Sequence, residues 1–369
     1  MDTAIIGHVL DRTIAIQQIP APPFAEIRRA KFILEQFQTE SLIDVTMDEI
    51  GNVYGRLPGS GNSLPLVVTA HLDTVFPFGT DLHVQREEGK IYGPGIGDNS
   101  LGLAGLFGLL WTLQKKYGKN VSLPGDLCLV ANVGEEGLGD LRGIRAIVDR
   151  FGDQVLAYLV LEGMSLGMIY HRGLGVKRYR ITIQTSGGHS WMDYGSPSAI
   201  HEMATLITHL TTLPMPDKPR SSLNVGVISG GTSINTISAE SHIELDLRSE
   251  TTRGLQKIIN EVEALTRNIE RQAVEVYIEV IGQRPAGKIS RAHPLVKLAS
   301  SCLRTQGIQP KLAIGSTDAS YPLSLGIPAI CIGLSTGYGA HTQNEYIHTP
   351  PLGSGLEQFV DLVEGIFQN

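Results

Sequence analysis

The chain has little cysteine and no long uninterrupted apolar run, and each shortage excludes a class of protein. Its three cysteines, Cys128, Cys302 and Cys331, lie too far apart for the paired spacing of a zinc or redox motif, so we expect buried thiols in a reducing compartment. The longest apolar run, residues 101–111, is interrupted by glycines and is too short to span a bilayer. Because Asp2 stands where a secretory leader would be basic, we expect a cytoplasmic protein that does not bind membranes.

Basic charge is also scarce and is not concentrated into a block. The chain carries 30 lysines and arginines against 37 aspartates and glutamates, and its formal net charge is -7. A nucleic-acid-binding surface needs clustered positive charge, so we expect no nucleic-acid partner. With 42% hydrophobic and 18% charged residues, the composition is typical of a globular enzyme, and 369 residues are enough for two domains.

The first and last parts of the chain alternate strand-like and helix-like patterns. After two helices within residues 3–38, the predicted strands are 43–46, 53–57, 65–70, 127–132 and 157–161, with helices near 101–117 and 141–150. Strand and helix patterns return after residue 286, with strands at 312–314 and 329–332 and a final helix at 356–367. This alternation predicts an α/β domain with a mixed, largely parallel sheet.

The middle of the chain has a different pattern. Its predicted elements are strand 177–184, helix 198–213, strands 223–229 and 241–247, helix 255–272 and strand 274–281. This βαββαβ order predicts a ferredoxin-like α+β domain. We therefore expect residues 174–285 to be inserted into a discontinuous domain made of residues 1–173 and 286–369.

Candidate ligands follow several of the predicted strands. His71 and Asp73 come directly after the apolar run 66–70, and side chains two residues apart point to the same side of a strand. Glu162 follows another buried run, where an unpaired charge is unfavourable without a partner cation. Ligands collect at the carboxyl ends of strands in open α/β sheets, so this shared position favours one site.

Three further segments belong to the same pattern. Asp98 lies in a glycine-rich loop, Glu135 and Glu136 lie between glycines, and His341 lies in a second glycine-rich loop. Taken singly, Asp98 fits a helix cap, the paired glutamates a solvated loop, and His341 a surface histidine. Together, the mixed nitrogen and oxygen donors suit Zn²⁺, with Mn²⁺ or Co²⁺ as alternatives, and are too rich in nitrogen for calcium.

These motifs, in this order, resemble the M20 family of metallopeptidases and deacylases. The resemblance covers nearly the whole chain and implies a zinc-exopeptidase-like catalytic domain with an inserted lid or dimerisation domain. It also implies two divalent metal ions with Asp98 as the bridging ligand, and a cis peptide bond after Asp98. Further implied roles are Glu135 as general base and Asp73 as the residue that orients the first imidazole. The implied ligands are His71, Asp98 and Glu162 for one metal and Asp98, Glu136 and His341 for the other.

The resemblance extends to three residues of the inserted domain. It implies that His189 stabilises the oxyanion, in dimeric members from the neighbouring subunit, and that Asn235 contacts substrate. Arg248 would bind a substrate carboxylate through its planar fork. Without the family context, we would interpret these residues as a turn histidine, a turn former and a surface ion-pair partner. Asn99 and Ser100 depart from the aspartate and lysine that many relatives carry, which leaves the substrate group open.

The function expected from the sequence is hydrolysis of a peptide or amide bond in a small substrate that carries a free carboxylate. An exopeptidase or dipeptidase acting on small peptides is favoured over a deacylase acting on N-acyl amino acids. A non-catalytic binding protein that retains the fold is the alternative from another class. The expected assembly is a homodimer formed through the inserted domain.

Overall fold

A computed structural model describes residues 1–40, 42–118 and 121–368. The chain forms two compact units, Met1–Gly173 with Lys288–Asn369, and Leu174–Gly287. We refer to them as the metal-site unit and the inserted unit. No described helix is long and apolar enough to cross a lipid bilayer.

The first part of the metal-site unit contains two helices followed by alternating strands and helices. Its helices are α1 (Thr3–Gln17), α2 (Ile27–Thr39), α3 (Gly102–Tyr117) and α4 (Arg142–Phe151). Its strands are β1 (Ile43–Met47), β2 (Val53–Leu57), β3 (Leu66–His71), β4 (Gln85–Glu87), β5 (Lys90–Tyr92), β6 (Leu127–Asn132), β7 (Tyr158–Glu162) and β8 (Met168–Gly173).

The inserted unit follows directly. Its strands are β9 (Gly175–Thr185), β10 (Gly188–His189), β11 (Ser221–Gly230), β12 (Thr236–Ile237), β13 (Glu240–Ser249) and β14 (Val274–Arg284). Its helices are α5 (Ala199–Thr211) and α6 (Thr252–Arg267).

The chain then returns to the metal-site unit. The returning strands are β15 (Gly287–Lys288), β16 (Lys311–Gly315), β17 (Ala329–Gly333), β18 (Gly337–Tyr338) and β19 (Tyr346–His348). The returning helices are α7 (Pro294–Thr305), α8 (Ser320–Ser324) and α9 (Leu352–Gln368).

The metal-site unit is built on a mixed sheet with the order β1-β2-β6-β3-β7-β17-β8-β15, and β16 also pairs with β8. Its central strands β6, β3, β7 and β17 are parallel to one another. Every residue of β3 and β6 is buried, as expected of parallel strands covered by helices on both faces. The α/β class predicted from the sequence is therefore confirmed.

The inserted unit has an antiparallel sheet with the order β11-β13-β9-β14 and two helices. This order, with the element sequence βαββαβ, is the ferredoxin-like arrangement. Alternation in β13 explains the one-sided core, because Ile243, Leu245 and Leu247 are buried while the residues between them are partly exposed. The core of this unit is separate from that of the metal-site unit.

Several short strands were not predicted from the sequence. Strand β4 is polar, β5 has one buried residue, Ile91, and each is only three residues long, yet both belong to a small sheet of order β18-β19-β5-β4. Strand β8 was also missed. Helix α6 ends at Arg267, five residues before its predicted end, because the chain there turns back into β14.

Candidate metal centre

The candidate ligands of the metal-site unit lie at or beyond the carboxyl ends of its parallel strands. His71 ends β3 and Glu162 ends β7, whereas Glu135 and Glu136 follow β6 after two residues. His341 lies in the loop between β18 and β19, beyond the end of β17. Because these strands run in the same direction, residues far apart in sequence reach one edge of the sheet.

Asp98 lies between two histidines. Its Oδ1 is 3.1 Å from Nε2 of His71, and its Oδ2 is 3.1 Å from Nε2 of His341. Glu162 Oε2 lies 3.6 Å from the first imidazole, and Glu136 Oε1 lies 3.1 Å from the second. The structure thus brings together two groups of possible ligands that share Asp98.

Glu135 is buried beside the same centre. Potential ligand atoms of Glu135, Glu136 and His71 lie within 4.8 Å of one another. The two histidines differ in exposure, because the His71 side chain is 1% exposed and that of His341 is 55% exposed. The centre therefore has one closed side, at β3, and one side open to solvent.

The loop that carries Asp98 packs tightly against the end of β7. The Asp98–Asn99 peptide bond is cis, as the family resemblance implied. A Cβ atom on Gly163 would lie 2.2 Å from the carbonyl oxygen of Gly97, so glycine is required after Glu162 for the two loops to approach. Close backbone packing thus brings the carboxylates of Asp98 and Glu162 to the same imidazole.

Asn99 joins these two loops through its side-chain amide. Its Nδ2 donates to the Leu161 carbonyl at 2.9 Å, and its Oδ1 accepts from the Gly163 N–H at 2.9 Å. The side chain is fully buried, and its two partners are the residues directly before and after Glu162. Aspartate could accept here but, when ionised, could not donate. Asparagine, which donates and accepts at the same time, is therefore suited to joining the two loops.

Asp73 supports the glutamate loop. Its carboxylate oxygens accept from the backbone N–H groups of Glu135 at 3.0 Å and Glu136 at 2.7 Å. The imidazole Nδ1 of His71 contacts the backbone carbonyl of Asp73 at 3.0 Å and its Oδ1 at 3.6 Å. Asp73 therefore links the end of β3 to the loop that carries the two glutamates.

Glu345 is a buried acid that the sequence did not single out as functional. Its carboxylate accepts from the N–H groups of Gly95 at 3.1 Å, Gly97 at 2.8 Å and Asp98 at 2.8 Å. Burial raises the pKa of Glu345 to about 7, with the charge of Asp98 adding to the rise and these backbone donors opposing it. It fixes the backbone of the Asp98 loop from a segment nearly 250 residues away.

Arg29 supports the other side of the centre. Its guanidinium is 1% exposed, donates from Nη1 to the Leu72 carbonyl at 2.7 Å and donates twice to the Ile19 carbonyl. Burial lowers the pKa of Arg29 to about 10, against the opposing effect of Asp73. From sequence alone, an arginine on an amphipathic helix indicates a solvated face, so no local signal pointed to this role.

The electrostatics of the centre favour a bound cation. Burial raises the pKa of Glu162, although His71 opposes the rise. Burial acts in the same direction on Asp98, but hydrogen bonds with His341 and His71 outweigh it and lower its pKa. Positive charge beside these two partly buried carboxylates therefore helps them to remain ionised.

The donor set fits divalent metal ions. Ligands bound tetrahedrally to zinc at their usual bond lengths lie about 3.3 Å apart, and the donor atoms around Asp98 are separated by 3.1 to 3.6 Å. Four carboxylates meet here, and two divalent cations would balance their charge. These carboxylates are Asp98, Glu135, Glu136 and Glu162.

Within the inserted unit, the structure brings His189 and Asn235 onto neighbouring strand ends. His189 pairs with Thr236 across β10 and β12, and the Ser190 N–H donates to the Asn235 carbonyl at 3.0 Å. Both residues are exposed. The imidazole Nδ1 of His189 accepts from the Trp191 N–H at 3.1 Å, which places the proton of the neutral ring on Nε2.

Arg248 lies elsewhere in the inserted unit. Strand β13 begins at Glu240, three residues after the end of β12, and Arg248 lies eight residues further along it. Eight residues of extended strand span about 26 Å. Its Nε donates to Asp246 Oδ1 at 2.6 Å, and the same carboxylate accepts from Arg178 at 3.0 Å. The structure therefore does not bring Arg248 together with His189 and Asn235.

Comparison with known sequences supports a hydrolase. Residues 67–365 match the sequence model of peptidase family M20/M25/M40. A putative succinyl-diaminopimelate desuccinylase, DapE of Mycobacterium tuberculosis, is 24% identical over 367 residues and covers 97% of this chain and 97% of its own length. The similarity is thus spread over both units.

Solved structures share the fold. Aminopeptidase PepT from Bacillus cereus superposes with a TM-score of 0.78 at 22% identity and covers 98% of each chain. The Bacillus subtilis YXEP protein, a dinuclear metal-binding peptidase of the M20 family, has a TM-score of 0.71 at 16% identity and covers 100% of this chain and 99% of its own. At these identities, the superpositions establish a common architecture.

Proposed function

Because this chain belongs to peptidase family M20/M25/M40 and is a metal-dependent hydrolase, we propose that it cleaves a peptide or amide bond of a small substrate with the help of two divalent cations. The observation that carries the proposal is the position of Asp98, whose two carboxylate oxygens face two different imidazoles. Such an acid can bridge two cations. Zinc is our first choice, with manganese or cobalt as alternatives.

The side chains divide the work in the following way. His71 and Glu162 would hold one cation, His341 and Glu136 would hold the other, and Asp98 would contribute to both. Cations held there would polarise the substrate carbonyl and make water at the site more acidic. Glu135 accepts a proton from the attacking water and returns it to the departing nitrogen. His189 donates from Nε2 to the oxyanion, in agreement with the tautomer set by the Trp191 N–H.

Arg248 is the proposed contact for a free substrate carboxylate. Its guanidinium is 43% exposed and is held by Asp246, so its remaining donors are presented in a fixed direction. A carboxylate bound there places the scissile bond near one end of the substrate. This arrangement favours an exopeptidase or dipeptidase. N-acyl-amino-acid deacylation is the second candidate, because the relative from M. tuberculosis that spans both units is a putative desuccinylase.

The separation of Arg248 from His189 supports a homodimer. Arg248 pairs with Val176 in β9, at the end of the inserted unit where the chain enters and leaves it. His189 and Asn235 lie at the opposite end. A small substrate held by Arg248 cannot also reach a histidine about 26 Å further along the same sheet. We therefore assign His189 to the active site of a second copy of this chain.

A substrate panel tests the reaction. Dipeptides, tripeptides and N-acetyl or N-succinyl amino acids are offered to metal-free protein and to protein loaded with zinc, manganese or cobalt. We expect hydrolysis of short peptides only in the loaded samples. Activity restricted to acyl amino acids would establish the deacylase instead. A loaded protein that binds metal but hydrolyses nothing would indicate a non-catalytic binding protein.

Mixed dimers test the assignment of His189. The variants Glu135→Ala and His189→Ala are each expected to be nearly inactive alone. If His189 serves the partner's site, a mixed dimer contains one site with both residues intact, and random exchange restores about a quarter of wild-type activity. No recovery after exchange would place His189 in the active site of its own chain. Light scattering before and after mixing checks that dimers are present.

A further inference from the structure

Asp318 is a completely buried acid to which the proposed mechanism gives no role. Its side chain is 0% exposed and lies just beyond β16, and its Oδ2 accepts from Nδ2 of Asn132 at 2.7 Å. Asn132 is also 0% exposed and is the last residue of β6. An acid and an amide are therefore paired behind the strand ends that carry the candidate ligands.

Asn132 occupies a sensitive position in the fold. It pairs with His71 across the parallel strands β6 and β3, and its backbone carbonyl accepts from the Leu72 N–H at 2.6 Å. Three residues later the chain reaches Glu135. A shift of Asn132 would thus displace both the end of β3 and the start of the glutamate loop.

One oxygen atom of each side chain in the pair still needs a hydrogen-bond donor. Among the described residues, neither Asp318 Oδ1 nor Asn132 Oδ1 has a partner, and both atoms are buried. If the carboxyl group is ionised, both atoms are acceptors without a donor, which is unfavourable in a buried site. A proton on the carboxyl group allows it to donate to the amide oxygen while it accepts from the amide nitrogen.

We propose that Asp318 is a positioning residue of the metal centre, which holds Asn132 through two hydrogen bonds, one donated by its own carboxyl proton. The proposal rests on the two-metal site proposed above. Burial raises the pKa of Asp318 to about 7, although His71 and the bond from Asn132 oppose the rise, and this agrees with a protonated acid. Asp318 acts through Asn132 on the strand ends and touches no substrate.

The chemistry of the pair allows a decisive substitution. Asp318→Asn replaces the carboxyl O–H by an amide N–H, so both hydrogen bonds to Asn132 are retained. Asp318→Ala removes both bonds and leaves the Asn132 amide buried without partners. The double variant Asn132→Asp with Asp318→Asn exchanges the acid and the amide and keeps the pairing. These variants separate a hydrogen-bonding role from a role of negative charge, since Asp318→Asn and Asp318→Ala both abolish that charge.

Metal affinity is the primary measurement, by calorimetric titration of Zn²⁺ into metal-free protein. We expect Asp318→Ala to bind roughly ten- to a hundredfold more weakly, as for other residues that orient metal ligands. Asp318→Asn and the exchanged pair should remain within about threefold of wild type. The visible absorption of Co²⁺-loaded protein should keep its wild-type shape in both and change in the alanine variant. Thr69→Val is the matched control, since it removes a buried hydroxyl of β3 for which the described part of the chain offers no hydrogen-bond partner.

Equal loss of affinity in Asp318→Asn and Asp318→Ala would show that charge matters and would overturn the proposal, as would wild-type affinity in Asp318→Ala. If the wild-type chain binds no metal, the proposed function fails, but thermal unfolding of the metal-free variants still tests the pair. There, Asp318→Ala should unfold several degrees lower and Asp318→Asn should not. Equal unfolding temperatures of these two variants in metal-free protein would show that the hydrogen bonds between Asp318 and Asn132 do not stabilise the strand ends, and would overturn the proposal.

Discussion

The metal-site unit and the inserted unit hold their candidate functional residues in different ways. In the metal-site unit, buried groups surround the candidate ligands, and each group holds backbone that carries or adjoins a candidate ligand. These supporting residues are Arg29, Asp73, Asn99 and Glu345. In the inserted unit, His189 and Asn235 are exposed and Arg248 is partly exposed, and their side chains bond to residues two positions away in sequence.

This difference fits two different tasks, which are to hold metal ligands in place before a metal binds and to contact a substrate or a second subunit when it arrives. Metal ions require donors at fixed distances, and a buried framework of hydrogen bonds supplies them before binding. Residues that meet a substrate or a second subunit must be accessible until that encounter. Substitutions in the metal-site unit should therefore alter metal binding or chemistry, whereas those in the inserted unit should alter substrate use and leave metal binding intact.

The largest expected effect comes from Glu135→Gln. The substitution keeps the size of the side chain but removes the proposed proton acceptor, so turnover should fall by about 10³-fold or more. Metal content, measured by elemental analysis, should stay at the wild-type value because Glu135 is not among the assigned ligands. This variant separates chemistry from metal binding within one unit.

The control for this prediction is the neighbouring residue. Glu136→Gln changes the adjacent position in the same loop but removes an assigned ligand, so it should reduce metal content as well as turnover. Retained turnover in Glu135→Gln would exclude it as the base. Loss of metal from Glu135→Gln to the same extent as from Glu136→Gln would reassign it as a ligand.

The next largest effect should come from Glu345→Ala. It leaves three backbone N–H groups of the Asp98 loop without their acceptor, so metal affinity should weaken by up to about a hundredfold. Titration of Zn²⁺ into metal-free protein measures this change. Glu279→Ala removes an exposed glutamate of the inserted unit and is the control, with no expected effect on metal affinity. Wild-type affinity in Glu345→Ala would show that the loop is held without it.

The difference between the two units also explains what could be predicted from the sequence. His71, Asp98 and His341 could be predicted as candidate ligands because each lies in a short motif whose position relative to a strand is visible locally, and the structure brings them together. Glu345 is only four residues from His341, yet its amide partners are nearly 250 residues away in the chain, and no local pattern identifies it as buried. Strand direction could be inferred from alternation, but long-range hydrogen bonds between loops could not.

Asn99 shows the same limit in a different form. In the sequence, Asn99 stands out only as a departure from the pattern that the family resemblance implies, whereas its two side-chain hydrogen bonds reach residues more than 60 positions later. Asp318 and Asn132 are similar, because their contact spans 186 positions. Residues that serve the site through such contacts become recognisable only when the fold is known.

Asn99→Asp should have a smaller effect than Glu345→Ala. The aspartate can still accept from the Gly163 N–H but loses the donor to the Leu161 carbonyl, and it adds a buried negative charge near Glu162. We expect metal affinity to weaken about tenfold, as measured by the same titration. Asn62→Asp, an exposed position with a local contact, is the matched control. Unchanged affinity would show that a single hydrogen bond is enough to hold the two loops together.

Arg248→Ala should give the smallest effect and tests the other side of the comparison. If its partly exposed guanidinium binds a substrate carboxylate as proposed, its loss should weaken substrate binding by about 1 kcal/mol, which corresponds to a roughly fivefold increase in KM with kcat nearly unchanged. Metal affinity should not change. The matching substrate with an amidated carboxyl end should be used equally well by both proteins, since it offers Arg248 no charge. A fall in kcat with unchanged KM would instead place Arg248 in the chemical step, and the functional distinction between the two units would then no longer hold.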